Sequence, residues 1–276
     1  MRILIRTSKW AVLARRLGGL AVPLTIVPVL MHRERFLDSG AFLVVALFAG
    51  AVAALAVLAA CVGLVRLWHT GDQGWSKALS GLFLGLICLA PFAFYGAQAL
   101  RYPIVTDIAT APRSELPLIF EPDMADMPAP RLLTAEEQQR FFPNATTRTY
   151  PLDPLQLFAI VEHLVQVQGW DVRQRREPGI AGAPGQLNAR ILTLVGWREE
   201  AVLLITASGR GAAVDMRSAS IGALHDLGSN GQRISDFLVA LDSEVTAFLR
   251  DNPNVNQLVP DEAVEPEAGA ETGEGG

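Results

Sequence analysis

Long apolar runs occupy most of the first hundred residues and predict a membrane-embedded part. Residues 41–65 contain 25 consecutive residues without a charged side chain. Residues 78–100 form a second run, in which Pro91 is acceptable because membrane helices tolerate proline. Since about 20 apolar residues cross a hydrocarbon core of about 30 Å, each run has the length of one span.

A further apolar block, residues 17–31, lies closest to the N-terminus and is the shortest. It contains Pro23 and Pro28, and it reaches the length of a span when the preceding residues are included, with Arg15 and Arg16 extending toward the lipid head groups. A secretory signal peptide is the alternative, but no small-x-small cleavage site follows and two further spans come directly after it. We therefore predict three spans, at about residues 10–31, 41–65 and 78–100.

From about residue 146 to residue 252 the pattern changes to that of a small folded domain. Asp153-Pro154 is a typical helix start, and apolar residues follow at spacings of three and four until Gly169. Four strands are then predicted, by the stretches WDVRQ, LNARILTLVGW, AVLLITA and AAVDMRS. A fifth, short strand is expected near 147–151, and an amphipathic helix closes the domain. Tight turns between the strands predict an α+β fold, with two helices packed on a four- to five-stranded, mainly antiparallel sheet.

Two less regular segments flank this domain. Residues 102–145 are rich in proline and predict an extended linker, in which Thr134 and Glu137 form a capping box that begins a short helix. From Asp251 onward the chain has seven acidic side chains and no basic one, which predicts a disordered tail. The predicted division is a membrane domain, a linker, an α+β domain and a tail, at residues 1–101, 102–145, 146–252 and 253–276.

Charge is divided unevenly between the two halves and predicts the side of the membrane on which the domain lies. Up to Leu100 there are nine basic and three acidic side chains, whereas the remainder has fourteen basic and twenty-five acidic ones. An acidic domain argues against a nucleic-acid partner, because phosphate binding needs clustered cations. The first sixteen residues carry five cations and no acid, so the positive-inside rule places the N-terminus in the cytoplasm.

The number of crossings then decides the location of the domain. Three crossings put it outside the cytoplasm, and two would leave it inside. Twenty-one arginines against two lysines, together with abundant alanine and glycine, indicate the codon usage of a GC-rich bacterium. The predicted location is therefore a bacterial inner membrane, with the domain in the periplasm.

The segment between the last strand and the last helix carries the densest polar chemistry. Six of its side chains are candidates for a ligand-binding site: Arg217, Ser218, Ser220, Asp226, Asn230 and Arg233. A helix N-terminus offers unpaired amide groups to an anion, and the arginine and serine side chains add donors. The alternative is a structural corner, in which Ser229 and Gln232 cap the helix and Asp226 pairs with Arg217 or Arg233.

The second half of the chain offers little of the chemistry that catalysis or a cofactor needs. Its histidines are His163 and His225, and it has no cysteine, so neither a zinc site nor a thiolate nucleophile is predicted. A phosphate-binding loop and a dinucleotide fingerprint are also missing, and we predict no metal and no cofactor. The enzymatic alternative is a hydrolase that uses Ser218 or Ser220 with His225 as base, although the RSAS sequence lacks the Gly-x-Ser-x-Gly turn.

A signature runs through the same residues, roughly Asp-x-Arg-Ser-x-Ser and then Asp-x-Gly-x-Asn-x-x-Arg-Ile. It is matched by Asp215, Arg217, Ser218, Ser220, Asp226, Gly228, Asn230, Arg233 and Ile234. In this pattern the chain resembles an uncharacterised family, the domain of unknown function 1499, over about residues 103–245. Members of that family often carry N-terminal membrane spans. The chain departs from the pattern at Ile221, Ala223 and Leu224, where an arginine, a glycine and a second cation are expected.

The resemblance implies no established activity, cofactor or catalytic residue, so function is predicted from topology and chemistry. These features predict a membrane-anchored domain outside the cytoplasm, with the lipid bilayer as its first partner. It is predicted to bind an envelope component or a protein partner without being an enzyme. Two alternatives stay open: a lipid-binding module with an apolar cavity between sheet and helix, and the hydrolase described above.

Overall fold

The computed structural model describes residues 6–119, 129–179, 182–209 and 211–253. The first part consists of three long helices: α1 (Lys9–Arg33), α2 (Ser39–Thr70) and α3 (Trp75–Arg101). Each is long and apolar enough to cross a membrane. The shortest, α1, has 25 residues and therefore a length of about 37 Å. It continues without interruption through Pro23 and Pro28, and the prediction of three apolar helices is confirmed.

Small residues allow the three helices to approach one another closely. An added Cβ atom at Gly81 of α3 would lie 2.4 Å from the carbonyl carbon of Ala14 in α1. One at Gly85 would lie 2.8 Å from a methyl group of Val57 in α2. Gly81 and Gly85 have the Gly-x-x-x-Gly spacing, and both face neighbouring helices of the same chain, in the way that small residues do at helix contacts in membranes.

The second part is built on one sheet of six strands, joined and covered by three helices. The strands are β1 (Asp107–Ala109), β2 (Arg148–Tyr150), β3 (Asp171–Arg176), β4 (Gly185–Leu192), β5 (Arg198–Ser208) and β6 (Gly211–Ile221). The helices are α4 (Ala135–Phe141), α5 (Pro154–Val167) and α6 (Ser229–Asp251). The strand order is β1-β6-β5-β4-β3, β2 also pairs with β6, and every pairing is antiparallel. The predicted fold class is confirmed, with β1 as an additional strand.

The two faces of the sheet are covered by different parts of the chain. Helices α5 and α6 pack on one face, around buried side chains such as Phe158 and Phe237. Residues 110–119, which we call the strap, lie over the other face, where Leu116 packs with Val202. Most of β5 is therefore buried on both sides, which explains why it reads as a nearly continuous apolar run.

Parts of the segment predicted as a linker are packed into the domain. Tyr102, Val105 and Phe142 are buried in the same core as the helices, and β1 belongs to the sheet. Helix α4 begins with the capping box of Thr134 and Glu137, which confirms that prediction. The division into a separate linker and domain stays a prediction, and the acidic tail from residue 254 onward lies outside the described residues.

The two parts of the chain contact each other at what we call the joint, between the α1–α2 turn and the β4–β5 turn. The Nδ1 atom of His32 lies 2.8 Å from the carbonyl oxygen of Val195. The His32 ring stacks on Phe42 at a centroid distance of 4.4 Å and meets the edge of Trp197 at 5.0 Å. An added Cβ atom at Gly196 would lie 2.9 Å from the Cα atom of Arg33. The second part is thus attached at the joint as well as through the end of α3.

Replacing Gly81 by alanine tests the close packing of the three helices. The new methyl group meets the backbone of α1, and overpacking of this kind costs about 1–3 kcal/mol. We expect a lower midpoint of thermal unfolding for Gly81→Ala in detergent, followed by circular dichroism. The control is Gly96→Ala on the same helix, where an added Cβ atom has no neighbour within 4 Å. Equal midpoints for the two variants would contradict the packing described here.

Candidate functional site

Strand β6 divides the predicted site residues between the two faces of the sheet. Because side chains alternate along a strand, Ser218 and Ser220 point toward the helices, and Arg217 points toward the strap. The six candidates therefore do not form one group. Arg217 is separated from the other five by the sheet itself.

The group on the helix side is the polar cluster, formed by Glu199, Ser218, Ser220, Asn230 and Arg233. The Oγ atom of Ser218 donates to Oδ1 of Asn230 at 2.8 Å, and Nδ2 of Asn230 donates to Oγ of Ser220 at 2.9 Å. The guanidinium of Arg233 donates to Ser218 and forms an ion pair with Glu199. Ser220 in turn donates to Oε1 of Glu199 at 3.0 Å. These bonds close a ring of side chains beneath the start of α6.

Burial makes the internal pairing of this cluster energetically necessary. Ser218 and Asn230 are completely buried, and the Glu199 side chain is 3% exposed. Burying a charge without a counter-charge costs free energy of folding. Burying a hydrogen-bonding group without a partner is also unfavourable, because the group loses its hydrogen bonds to water and gains none in the protein. Glu199 therefore supplies the negative charge that allows the guanidinium of Arg233 to lie between α6 and the sheet.

Asp226 occupies the position at the start of α6 that an anion would take. Its carboxylate accepts hydrogen bonds from the backbone amides of Gly228, at 2.9 Å, and Asn230, at 3.3 Å. Burial raises the pKa of this carboxyl above its ordinary value, and the negative charge of Glu199 acts in the same direction. The two backbone hydrogen bonds lower the pKa and oppose that shift. The amides that were predicted to cradle an anion thus already hold a carboxylate of the chain.

The predicted capping of α6 by Ser229 and Gln232 is wrong. The N-cap residue is Gly228, which has a φ of 83° and therefore a conformation that favours glycine. The Ser229 hydroxyl donates to Glu199, and the Gln232 amide donates to the hydroxyl of Tyr102 at 2.7 Å. Both side chains thus bind neighbouring elements, and Asp226 accepts the hydrogen bonds of the amides at the start of α6.

Arg217 belongs to a second ion-paired group, on the strap side of the sheet. Its guanidinium binds both carboxylate oxygens of Asp107 in β1, at 2.7 and 3.1 Å. It also donates to the carbonyl oxygen of Leu116 in the strap at 2.8 Å. Arg113 approaches the same carboxylate at 3.2 Å. The pairing of Asp226 with Arg217 or Arg233, predicted for the structural corner, is therefore wrong, because Asp107 and Glu199 take those places.

Further strap contacts use polar residues that were not among the six candidates for a ligand-binding site. Nδ2 of Asn188 donates to the carbonyl oxygen of Pro117 at 2.9 Å and to Glu200 at 3.0 Å. Glu200 also accepts from the amide of Ile119. Asp215 accepts from the hydroxyls of Thr110 and Thr147. The second carboxylate of the Glu199–Glu200 pair thus fixes the strap, as the first fixes α6.

The residues proposed for hydrolysis have other hydrogen-bonding roles. The hydroxyls of Ser218 and Ser220 are engaged with Asn230, Arg233 and Glu199, whereas Nδ1 of His225 accepts from the amide of Leu227 at 3.0 Å. Among the described residues, no group of three or more His, Cys, Asp or Glu side chains is placed to hold a metal ion. The arrangement is therefore suited to holding β5, β6 and α6 together, and ligand binding by these residues stays a prediction.

Replacing Glu199 by glutamine tests the role of the polar cluster in stability. The variant leaves Arg233, whose side chain is only 14% exposed, without a counter-charge, and loss of one member of a buried pair costs about 3–5 kcal/mol. We expect a decrease of that size in the free energy of unfolding of the full chain, measured with urea in detergent. The matched control is Glu162→Gln, which breaks the exposed pair with Arg175 and should cost about 0–1 kcal/mol. Losses of the same size for both variants would show that the cluster is not structural.

The raised pKa of Asp226 predicts a specific dependence of stability on pH. A folded-state pKa above the unfolded value means that the carboxyl stabilises the fold most when it is protonated, below its ordinary pKa of 3.8. This contribution is lost as the pH rises through the raised pKa. We therefore expect the free energy of unfolding of the native chain, relative to Asp226→Asn, to fall as the pH increases. A difference that stays constant or grows with pH would contradict this prediction.

Comparison with known proteins supports the resemblance that was inferred from the signature. Residues 124–241 match the model of a family described as "Protein of unknown function (DUF1499)". The matched region contains the whole polar cluster and five of the six strands, and the three apolar helices precede it. A search among curated proteins found no match to the chain. Over residues 124–241 the chain is therefore similar to the DUF1499 family of proteins of unknown function.

Proposed function

We propose that the chain holds a non-enzymatic binding domain at the periplasmic face of a bacterial inner membrane. In this location the domain binds an envelope component or a protein partner. The observation that carries the proposal is the presence of three apolar helices of spanning length after a strongly basic N-terminus. An odd number of spans and a cytoplasmic N-terminus together require the domain to lie on the opposite side.

The course of the chain is compatible with this orientation. The joint and the end of α3 lie at the same end of the helix bundle, because α1 and α3 both finish there and α2 starts there. The domain follows α3 directly, with β1 beginning at Asp107. The N-terminal residues lie at the other end, where Ser8 pairs through its amide with Gln73 of the α2–α3 turn.

The chemistry of the domain favours a binding role over catalysis. The polar cluster and Asp226 use their donors and acceptors within the domain, and a nucleophile paired with a base is not formed by Ser218 and His225 among the described contacts. Phe158, Phe237 and Leu241 fill the space between the helices and the sheet. This packing favours recognition at the outer surface of the domain over recognition in an internal cavity.

Reporter fusions test the proposed orientation. A phosphatase that is active only outside the cytoplasm, fused to the C-terminus of the full chain, is expected to be active. A fluorescent protein that matures only inside the cytoplasm is expected to be dark at the same position. Fusions after Asp72, in the α2–α3 turn, serve as the control and should show the opposite pair of signals. A fluorescent C-terminal fusion with an inactive phosphatase would place the domain in the cytoplasm and remove the proposal.

A further inference from the structure

One end of the sheet is fixed beside the ends of the apolar helices. Leu192, Arg198 and Ile221 are neighbours through strand pairing, so β4 ends, β5 begins and β6 ends at the same place. We call this the joint end. The β4–β5 turn extends from it, and Nη1 of Arg33 in α1 lies 3.5 Å from the carbonyl oxygen of Leu194 in this turn.

Large apolar side chains are exposed at the joint end. Leu194 is 80% exposed in the β4–β5 turn, and Leu224 is 63% exposed in the loop before α6. Ile104, which follows α3 by three residues, is 54% exposed, and Phe36 in the α1–α2 turn is 78% exposed. A single exposed leucine needs no explanation, but a group of them beside the ends of membrane helices does.

The aromatic and basic residues of the same region fit the boundary between lipid and water. Trp197 and His32 are in contact in the joint. Arg33 and Arg101 end α1 and α3 with exposed side chains. Tryptophan is enriched at the level of lipid head groups, and arginine near helix ends extends toward them. This composition is typical of the level at which lipid head groups meet water.

We propose that the joint end of the sheet is inserted into the interfacial layer of the bilayer, with Leu194 and Leu224 in contact with lipid. The occupant of this apolar surface is the same membrane that holds α1, α2 and α3. We assign the membrane as the occupant because the β4–β5 turn adjoins the end of an apolar helix, where the 3.5 Å contact with Arg33 holds it. Insertion of the joint end is expected on either side of the membrane, so its test is independent of the proposed orientation.

Depth-dependent quenching tests this inference on the full chain. Leu194→Cys and Leu224→Cys are made separately in a background with Cys61→Ala and Cys88→Ala, and each new cysteine receives an environment-sensitive fluorophore. The protein is reconstituted in phosphatidylcholine–phosphatidylglycerol vesicles that contain lipids with a nitroxide near the head group. We expect severalfold stronger quenching at positions 194 and 224 than at a control position.

The control is Leu155→Cys, which replaces a leucine that is 52% exposed near the start of α5. This residue lies at the far end of the sheet, since β2 leads into α5 and Tyr150 pairs with Ala212 beside the β5–β6 turn. Strand β5 has 11 residues, which separates the two ends by about 35 Å. Two results together would overturn the inference. Lipid nitroxides would quench the label at position 194 no more than the label at position 155, and iodide in water would quench both labels equally. Leu194 is 80% exposed, so its replacement removes little packing.

Discussion

The contact between the α1–α2 turn and the β4–β5 turn is the interaction on which the arrangement of the whole chain depends. A chain that left α3 and continued directly into a domain would be attached at one place, and the domain would rotate about that connection. The joint adds a second attachment, through His32, Phe42 and Trp197. Gly196 has a φ of 94° and no room for a side chain, so the close approach of the two turns depends on glycine at this position. The ends of the strands are thereby held at a fixed height relative to the apolar helices.

Buried polar residues of the domain help to maintain this fixed arrangement. Glu199 is the second residue of β5, next to the joint, and its ion pair with Arg233 holds the start of α6 at the same end of the sheet. On the opposite face, Asp107 and Arg217 fix the strap and the start of the sheet. The two ion pairs therefore lie on opposite faces of the sheet, the first beside the joint end and the second near the middle of β6. They secure the elements that connect the helix bundle to the domain, which is a structural reason for acidic and basic residues in an otherwise apolar core.

The sequence was informative where a pattern is long or where a motif is local. The three apolar helices followed from runs without charge, and the caps at Thr134 and Asp153 followed from spacings of three residues. Strand β1 has three residues, too few for an alternating pattern, and it exists because β6 is available for pairing. The role of Glu199 was missed because its partner, Arg233, lies 34 positions away. Glu199 and Glu200 are consecutive acids in a buried strand, so their side chains point to opposite faces of the sheet. Each face was therefore expected to hold a cation or an amide as partner. Alternation along β6 also separates Arg217 from Ser218, and the sequence alone contained that information.

The account requires that the domain is seated on the helix bundle and does not move freely on a tether. A distance distribution between spin labels at Glu34→Cys and Leu155→Cys, in the variant without native cysteines, tests this requirement in lipid vesicles. Glu34 lies in the α1–α2 turn and Leu155 at the far end of the sheet, so the separation is about 30–40 Å by the length of β5. The account predicts one narrow peak in this range, measured by double electron–electron resonance. A broad distribution that extends over tens of ångströms would contradict it.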